Sequence, residues 1–266
     1  MNRHSDRTHG FLKRMGLHRL MFCMISPFIC GSIAAAEDAW TFSNGADYSS
    51  GDYNNTTDTS LLYLPLRAEY HQGNWSGKIS SGWLHINGPG RIVEPGIVLP
   101  GGSARSESGI ADTWLSLSYR ADMLPPVIGV LDVTGKVKLP TADKDKGLGT
   151  GKVDYALQVD YSRALGDLTP MLTTGYKFTG DPQDMPLRDI LYISAGLDWR
   201  VVDNASVGAS LDFQQASVSG MDEPLEVLTY LNHKINDRIT ISPYFYHGLS
   251  SSSPDIGLGV QMALKL

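Results

Sequence analysis

The chain has 266 residues, with 22 basic and 28 acidic side chains, a formal net charge of −6 and two cysteines. That acidic balance argues against nucleic-acid binding, whose electrostatic footprint is a basic patch or stripe. Both cysteines, Cys23 and Cys30, sit near the start of the chain, so the remainder can form neither disulfides nor thiolate metal sites.

Residues 1–36 read as a cleavable secretory signal peptide, and 37–266 as a single barrel domain. Arg3, Arg7, Lys13, Arg14 and Arg19 form a basic leader, 20–30 a short apolar core, and Ala34-Ala35-Ala36 a small-residue cleavage pattern. The apolar run is too short for a membrane helix and contains Pro27. A lipoprotein reading at Cys30 fits less well, since Pro27, Phe28 and Ile29 are not the small residues that signal prefers. Cleavage would leave 17 basic against 27 acidic residues, a net charge of −10. After Glu37 no apolar run approaches the ~20 residues of a membrane helix, so in a membrane the chain would cross as strands.

In chain order, a weak strand over 40–48 is followed by a polar loop. The next strand, 61–70, places Leu62, Leu64, Leu66, Ala68 and Tyr70 on one face and Tyr63, Arg67 and Glu69 on the other. Pro65 is awkward there because it donates no ladder hydrogen bond. After a tight turn at 71–74, the strand 75–86 puts Trp75, Ile79 and Trp83 on one face. The stretch 87–109 is too rich in Gly and Pro to predict regular structure. Alternation resumes over 110–120, with Ala111, Thr113, Leu115, Leu117 and Tyr119 outward and Asp112, Trp114, Ser116, Ser118 and Arg120 inward.

The stretch around which the chain is organised is the hairpin at 133–161. Val133, Gly135, Val137 and Leu139 oppose Asp132, Thr134, Lys136 and Lys138, and Val153, Tyr155, Leu157, Val159 and Tyr161 oppose Asp154, Ala156, Gln158 and Asp160. Faces this apolar and this charged suit a barrel in lipid better than a two-layer sandwich. Further strands are predicted over 168–178, 190–200, 205–215, 225–235, 238–247 and 256–266. The sequence therefore predicts an all-β fold, a transmembrane antiparallel up-and-down β-barrel of about twelve strands.

Loop lengths supply an independent check. Short turns at 71–74, 121–126, 164–167, 202–204 and 236–237 alternate with longer loops at 87–109, 140–151, 179–189, 217–224 and 248–255. Outer-membrane barrels sort their connections this way, short turns periplasmic and long loops external, and an even strand count then places both termini on the periplasmic side. The partners expected of such a protein are outer-membrane lipids, the barrel-assembly machinery and a small-molecule solute, with no nucleic acid. Aromatics near strand ends (Trp75, Trp83, Tyr119, Tyr161, Tyr176, Trp199 and Tyr244) would suit interfacial girdles, ordinary strand propensity being the plainer explanation.

The segment KVKLPTADKDKGLGTGKVD at 136–154 resembles a family of bacterial outer-membrane proteins named for the MetA pathway of phenol degradation. Its features are the lysine-flanked LPTAD and GLGTG with an acidic residue three positions on. SGIADTWLSLSYR (108–120), TTGYKFTGDP (173–182) and GLSSSSPDIGLGVQMALKL (248–266) are similar to the same family. The resemblance implies a Gram-negative outer-membrane barrel that passes small molecules, aromatic ones among them. The chain ends in Leu266 where such barrels commonly end in an aromatic, a departure that concerns assembly more than fold.

The inward face carries the candidate lumen and constriction residues Lys136, Lys138, Asp132, Asp154, Asp160, Asp112, Arg120 and Lys177. Facing lipid, a Lys or Arg at mid-membrane would cost ~2–4 kcal/mol, which fixes the inward assignment. Lys136 and Lys138 lie on the strand paired with that of Asp154 and Asp160, so ion pairs across the hairpin are expected. The lumen is then either a pore whose charges select a solute or a space plugged by its own salt bridges. The loop 87–109, with Ile92, Val93, Ile97, Val98 and Leu99, would either fold inward and narrow the pore or remain external.

Other chemistry finds little support. The run 147–152 lacks the spacing of a phosphate-binding loop, because Val153 stands where Ser or Thr is needed after Lys152. No cofactor is implied, and no His/Asp/Glu group has metal-ligand spacing. The histidines after residue 37 are His71, His85, His233 and His247, and none has Ser two residues on, the arrangement of barrel lipases. The expectation is a non-enzymatic channel or transporter for passive passage of a small molecule. The alternatives are a closed structural or interaction barrel with partner-binding loops and, behind it, a lipid-modifying enzyme. A continuous water path would separate the first two, and a Ser–His contact near the external rim would favour the third.

Overall fold

Period-two alternation decides the architecture, because each strand can bury only its charged face by curling round it. The computed structural model describes residues 38–94, 97–101, 105–121, 124–125, 127–182 and 186–266. The predicted signal segment lies outside the described residues. The strands are β1 Ala39–Gly51, β2 Thr59–Gln72, β3 Trp75–Gly88, β4 Arg91–Glu94, β5 Ile97–Leu99, β6 Arg105–Ile110, β7 Thr113–Ala121 and β8 Val130–Leu139. They continue with β9 Asp154–Ser162, β10 Leu168–Phe178, β11 Ile190–Val202, β12 Ala205–Gln214, β13 Leu225–Lys234, β14 Ile239–Gly248 and β15 Ile256–Lys265.

Successive strands of the wall pair antiparallel, β4 and β5 pair with each other as a separate hairpin, and β1 closes the sheet by pairing with both β2 and β15. Because β6 and β7 lie end to end along β3, the closed wall has twelve strands. Closure leaves no edge strand to aggregate. Thr41 faces Lys265, so the described residues begin and end at one rim. Tight turns such as Gly73-Asn74 share that rim, and the long loops occupy the other.

The outer surface is apolar. Leu66, Leu117, Leu157 and Trp199 are more than half exposed, while their inward neighbours Lys78, Lys136, Gln158 and Asp198 are buried. Aromatics band this surface. Trp40 packs on Tyr70 with ring centroids 4.9 Å apart, and Trp75 on Tyr119 at 4.8 Å, both near the rim of the termini. Tyr176 and Phe178 meet edge-on at 4.9 Å near the opposite rim. Tyr244 does not join a girdle. It faces inward on β14, while Phe245 takes the outer face.

Two further expectations are corrected. The stretch 87–109 is not structureless, since it holds the end of β3, the β4–β5 hairpin and most of β6. Pro89-Gly90 separates the long β3 from the short β4 instead of preventing strands there. Ala111 does not face outward either. Between the pairs Trp83–Ile110 and Ser80–Trp114, two residues of β3 oppose three of the neighbouring strand, a β-bulge at the β6–β7 junction. The extra residue turns Ala111 inward, where it is fully buried, and restores the predicted phase from Thr113 onward.

Candidate functional site

The lumen is built from the inward residues of every strand, and its charges are not evenly mixed. On β7 to β10 acids and bases pair. Lys138 Nζ lies 2.5 Å from Asp154 Oδ2 and 3.6 Å from Asp112 Oδ2, and donates to Thr150 Oγ1 at 3.1 Å. The Lys138 side chain is wholly buried, as is that of Asp154. The two acids also fix loops. Asp112 accepts the backbone N–H of Ala142 at 2.9 Å, and Asp154 that of Gly180 at 2.9 Å. One buried cation thus ties the β6–β7 bulge, β8 and β9 to two loops of the same rim.

Lower on the same wall, Lys136 donates to Gln158 Oε1 at 2.5 Å, and Gln158 donates to Asp160 at 2.8 Å. Asp160 also accepts from Thr173 at 2.5 Å. Lys136 therefore reaches Asp160 through Gln158, whereas Lys138 meets Asp154 directly, as expected across the hairpin. Asp132 stands opposite Asp160 in the ladder, a like-charge juxtaposition. Arg120 relieves it with a fork on Asp132, Nε to Oδ1 at 3.0 Å and a terminal nitrogen to Oδ2 at 3.3 Å. Lys177 faces inward on β10 and is 3% exposed.

The opposite wall is different. There the carboxylates are held by hydroxyls. Asp47 accepts from Tyr244 at 2.6 Å and Tyr246 at 3.0 Å, Asp198 from Ser206 at 2.9 Å, and Asp212 from Ser210 at 2.9 Å and from Ser194. Near the rim of the termini a recess of about 50 Å³ is lined by Asp198, Arg200, Asn232, Lys234 and Thr240 among others. Reasoning from sequence did not single out Asp47 or Tyr246, and it set Tyr244 among the outer-face aromatics. The signal was the Tyr244-Phe245-Tyr246 alternation, which must send Tyr and Phe to opposite faces.

The long-loop end is closed by the β4–β5 hairpin. Its apolar residues Ile92, Val93, Ile97, Val98 and Leu99 are all buried, each at no more than 6% exposure. Ile92 packs with Leu61, Tyr63, Leu84, Ile86, Ala111, Ala142 and Leu148 on the β2–β3 side. Val93, Ile97 and Leu99 pack against Leu187, Val218 and Met221 from the loops 179–189 and 215–224. The second loop follows β12, which lies six wall strands from β3 in either direction. The hairpin is therefore a strap across the full width of the mouth. Burying an aliphatic side chain is worth ~1.5–3 kcal/mol, enough over five residues to draw this segment inward.

A Ser–His contact of the kind that would favour an enzyme is present. His85 Nδ1 and Ser108 Oγ are 2.8 Å apart, cross-strand partners on the outer face of β3 and β6. The imidazole is stacked on Trp83, with centroids 6.0 Å apart. Nucleophilic catalysis further needs a group orienting the imidazole and donors aimed at an oxyanion. Among the described residues no carboxylate bonds this ring. The pair reads as a polar contact beside an interfacial tryptophan. Among the described residues there is also no cluster of His, Cys, Asp and Glu able to hold a metal.

Comparison with solved structures places this geometry in a class. The chain is similar to the COG4313 outer membrane channel from Pseudomonas putida F1, with a TM-score of 0.70 and 12% identity, covering 90% of this chain and 100% of that one. It is also similar to the CymD monoaromatic hydrocarbon channel, at a TM-score of 0.51 and 9% identity over 86% and 88% of the two chains. The beta domain of the Bordetella autotransporter BrkA gives 0.50 and 11% over 85% and 98%. No family model and no curated protein matches the chain. The protein is a closed twelve-stranded antiparallel β-barrel of the outer-membrane type.

Proposed function

We propose that this protein is a bacterial outer-membrane channel for passive passage of a small molecule, aromatic solutes being the favoured class. The observation that carries the reading is the lumen itself, a wall of paired lysines and acids facing a wall of hydroxyl-held carboxylates inside an apolar exterior. The likeness to the COG4313 channel and to CymD supports it. Lys136, Lys138, Asp154 and Asp160 shape the constriction, with no energy input and no cofactor. The termini and short turns face the periplasm, and the strap and long loops face outward.

The buried strap favours one other reading, a closed barrel whose loops contact a partner. Single-channel recording of the refolded protein in a planar bilayer decides between them. Discrete steps, with ion selectivity moved in opposite directions by Lys136→Ala and Asp160→Ala, are expected of a pore. A folded and silent barrel would overturn the channel reading.

A further inference from the structure

The two faces of the strap are held by different chemistry. On the β2–β3 side the attachment is hydrogen-bonded as well as packed. The N–H of Ile92 donates to the carbonyl of Gly147 at 2.9 Å, and that of Gly90 to Thr59 Oγ1 at 3.0 Å. Arg105 donates to the carbonyl of Gly90 at 3.3 Å. Gly147 has φ +64°, and a side chain there would run into the Arg105 guanidinium, so this corner is closely fitted. On the far side the packing that joins Val93, Ile97 and Leu99 to Leu187, Val218 and Met221 is apolar, and those three loop residues are only partly buried.

Resting on the channel reading, we infer that the strap is the gate of this pore. It is hinged at the β2–β3 side and released at the far side, where an apolar solute inserts among Leu187, Val218 and Met221. Apolar packing is non-directional, so an apolar solute can replace the strap residues there without leaving a donor or acceptor unpaired. The same solute could not replace the hydrogen bonds of the hinge. Met221 suits such a site, since its unbranched thioether repacks readily around different shapes. Entry of solute and opening of the mouth become one event.

The test is planar-bilayer recording of three forms of the full chain, each first shown to fold. These are the parent, a Leu187→Ser/Val218→Ser/Met221→Ser variant, and a chain whose residues 91–99 are replaced by a short glycine linker. Loosening the far contact is expected to raise the open time by about tenfold or more, and the strapless chain to stay open. Benzene added on the loop side should lengthen openings of the parent, and an equal concentration of glycerol should not. A strapless chain that conducts beside a serine variant identical to the parent would overturn the gate and leave the channel standing. A folded strapless chain that is silent would overturn the channel reading itself. Lengthened openings in the serine variant with no response of the parent to benzene would overturn the apolar solute.

Discussion

Tyr244 on β14 lies directly opposite Gly259 on β15, its ring occupying the space where a side chain on Gly259 would stand. The arrangement recurs along the lumen. Tyr246 covers Gly257, Tyr230 covers Gly208 and Tyr192 covers Gly175, each pair being ladder partners. An aromatic laid over a cross-strand glycine shields its backbone and pins the register. Gly259→Ala should therefore push the Tyr244 ring off the wall and away from Asp47. The expected loss is ~1–3 kcal/mol, the usual cost of overpacking. Urea unfolding in detergent micelles measures it. A Tyr244→Ala background should reduce the effect, since the clash with the ring is then gone.

Burial decides how much each ion pair matters. Asp154 loses all contact with solvent beside Lys138, so Asp154→Ala leaves a buried ammonium with the Thr150 hydroxyl and, for a counter-charge, the more distant Asp112. That substitution should cost ~3–5 kcal/mol. Asp132→Ala breaks a pair whose side chains keep 24% and 14% exposure, and should cost ~1 kcal/mol or less. Unfolding midpoints of the two variants, compared side by side, check the order. An equal loss would mean that the Lys138 network is wetter than its packing implies.

Most of the wall was legible in the sequence because strand faces obey a period of two. Leu115, Leu117 and Trp199 need lipid, and Lys136 and Asp154 cannot face it. Alternating loop lengths gave the two rims for the same local reason. The bulge was not legible, because Ala111 is small enough for either face and one extra residue leaves the pattern beyond it intact. The strap was only half legible. Its apolar residues asked for cover, but nothing local says that the cluster of Val93, Ile97 and Leu99 meets Leu187, Val218 and Met221 across the mouth. The hydroxyl-held wall escaped for a similar reason, since Asp47 and Tyr244 are distant in sequence and neighbours only once β1 closes on β15.

The contact between His85 and Ser108 permits a direct check for hydrolysis. Phospholipid vesicles carrying the refolded barrel should release no fatty acid above the rate of empty vesicles, and Ser108→Ala should change nothing. Release that disappears in Ser108→Ala would restore the lipid-modifying enzyme.

The five tryptophans divide sharply between the two faces. Trp40, Trp75, Trp83 and Trp199 are 46%, 52%, 40% and 52% exposed on the outer surface, whereas Trp114 is 5% exposed on the inner one. Brominated acyl chains quench tryptophan only by close approach, so they should extinguish the first four and spare Trp114. Single-tryptophan variants make the measurement clean. Trp199 alone should be strongly quenched and Trp114 alone nearly unaffected. Trp75 and Trp199 lie near the rim of the termini and Trp83 nearer the other, so each should respond best to bromine placed close to the headgroups, where aromatic girdles sit. Strong quenching of Trp114 would mean that the inward face of β7 is open to lipid, and the assignment of Lys136, Asp112 and Arg120 to the lumen would fall with it.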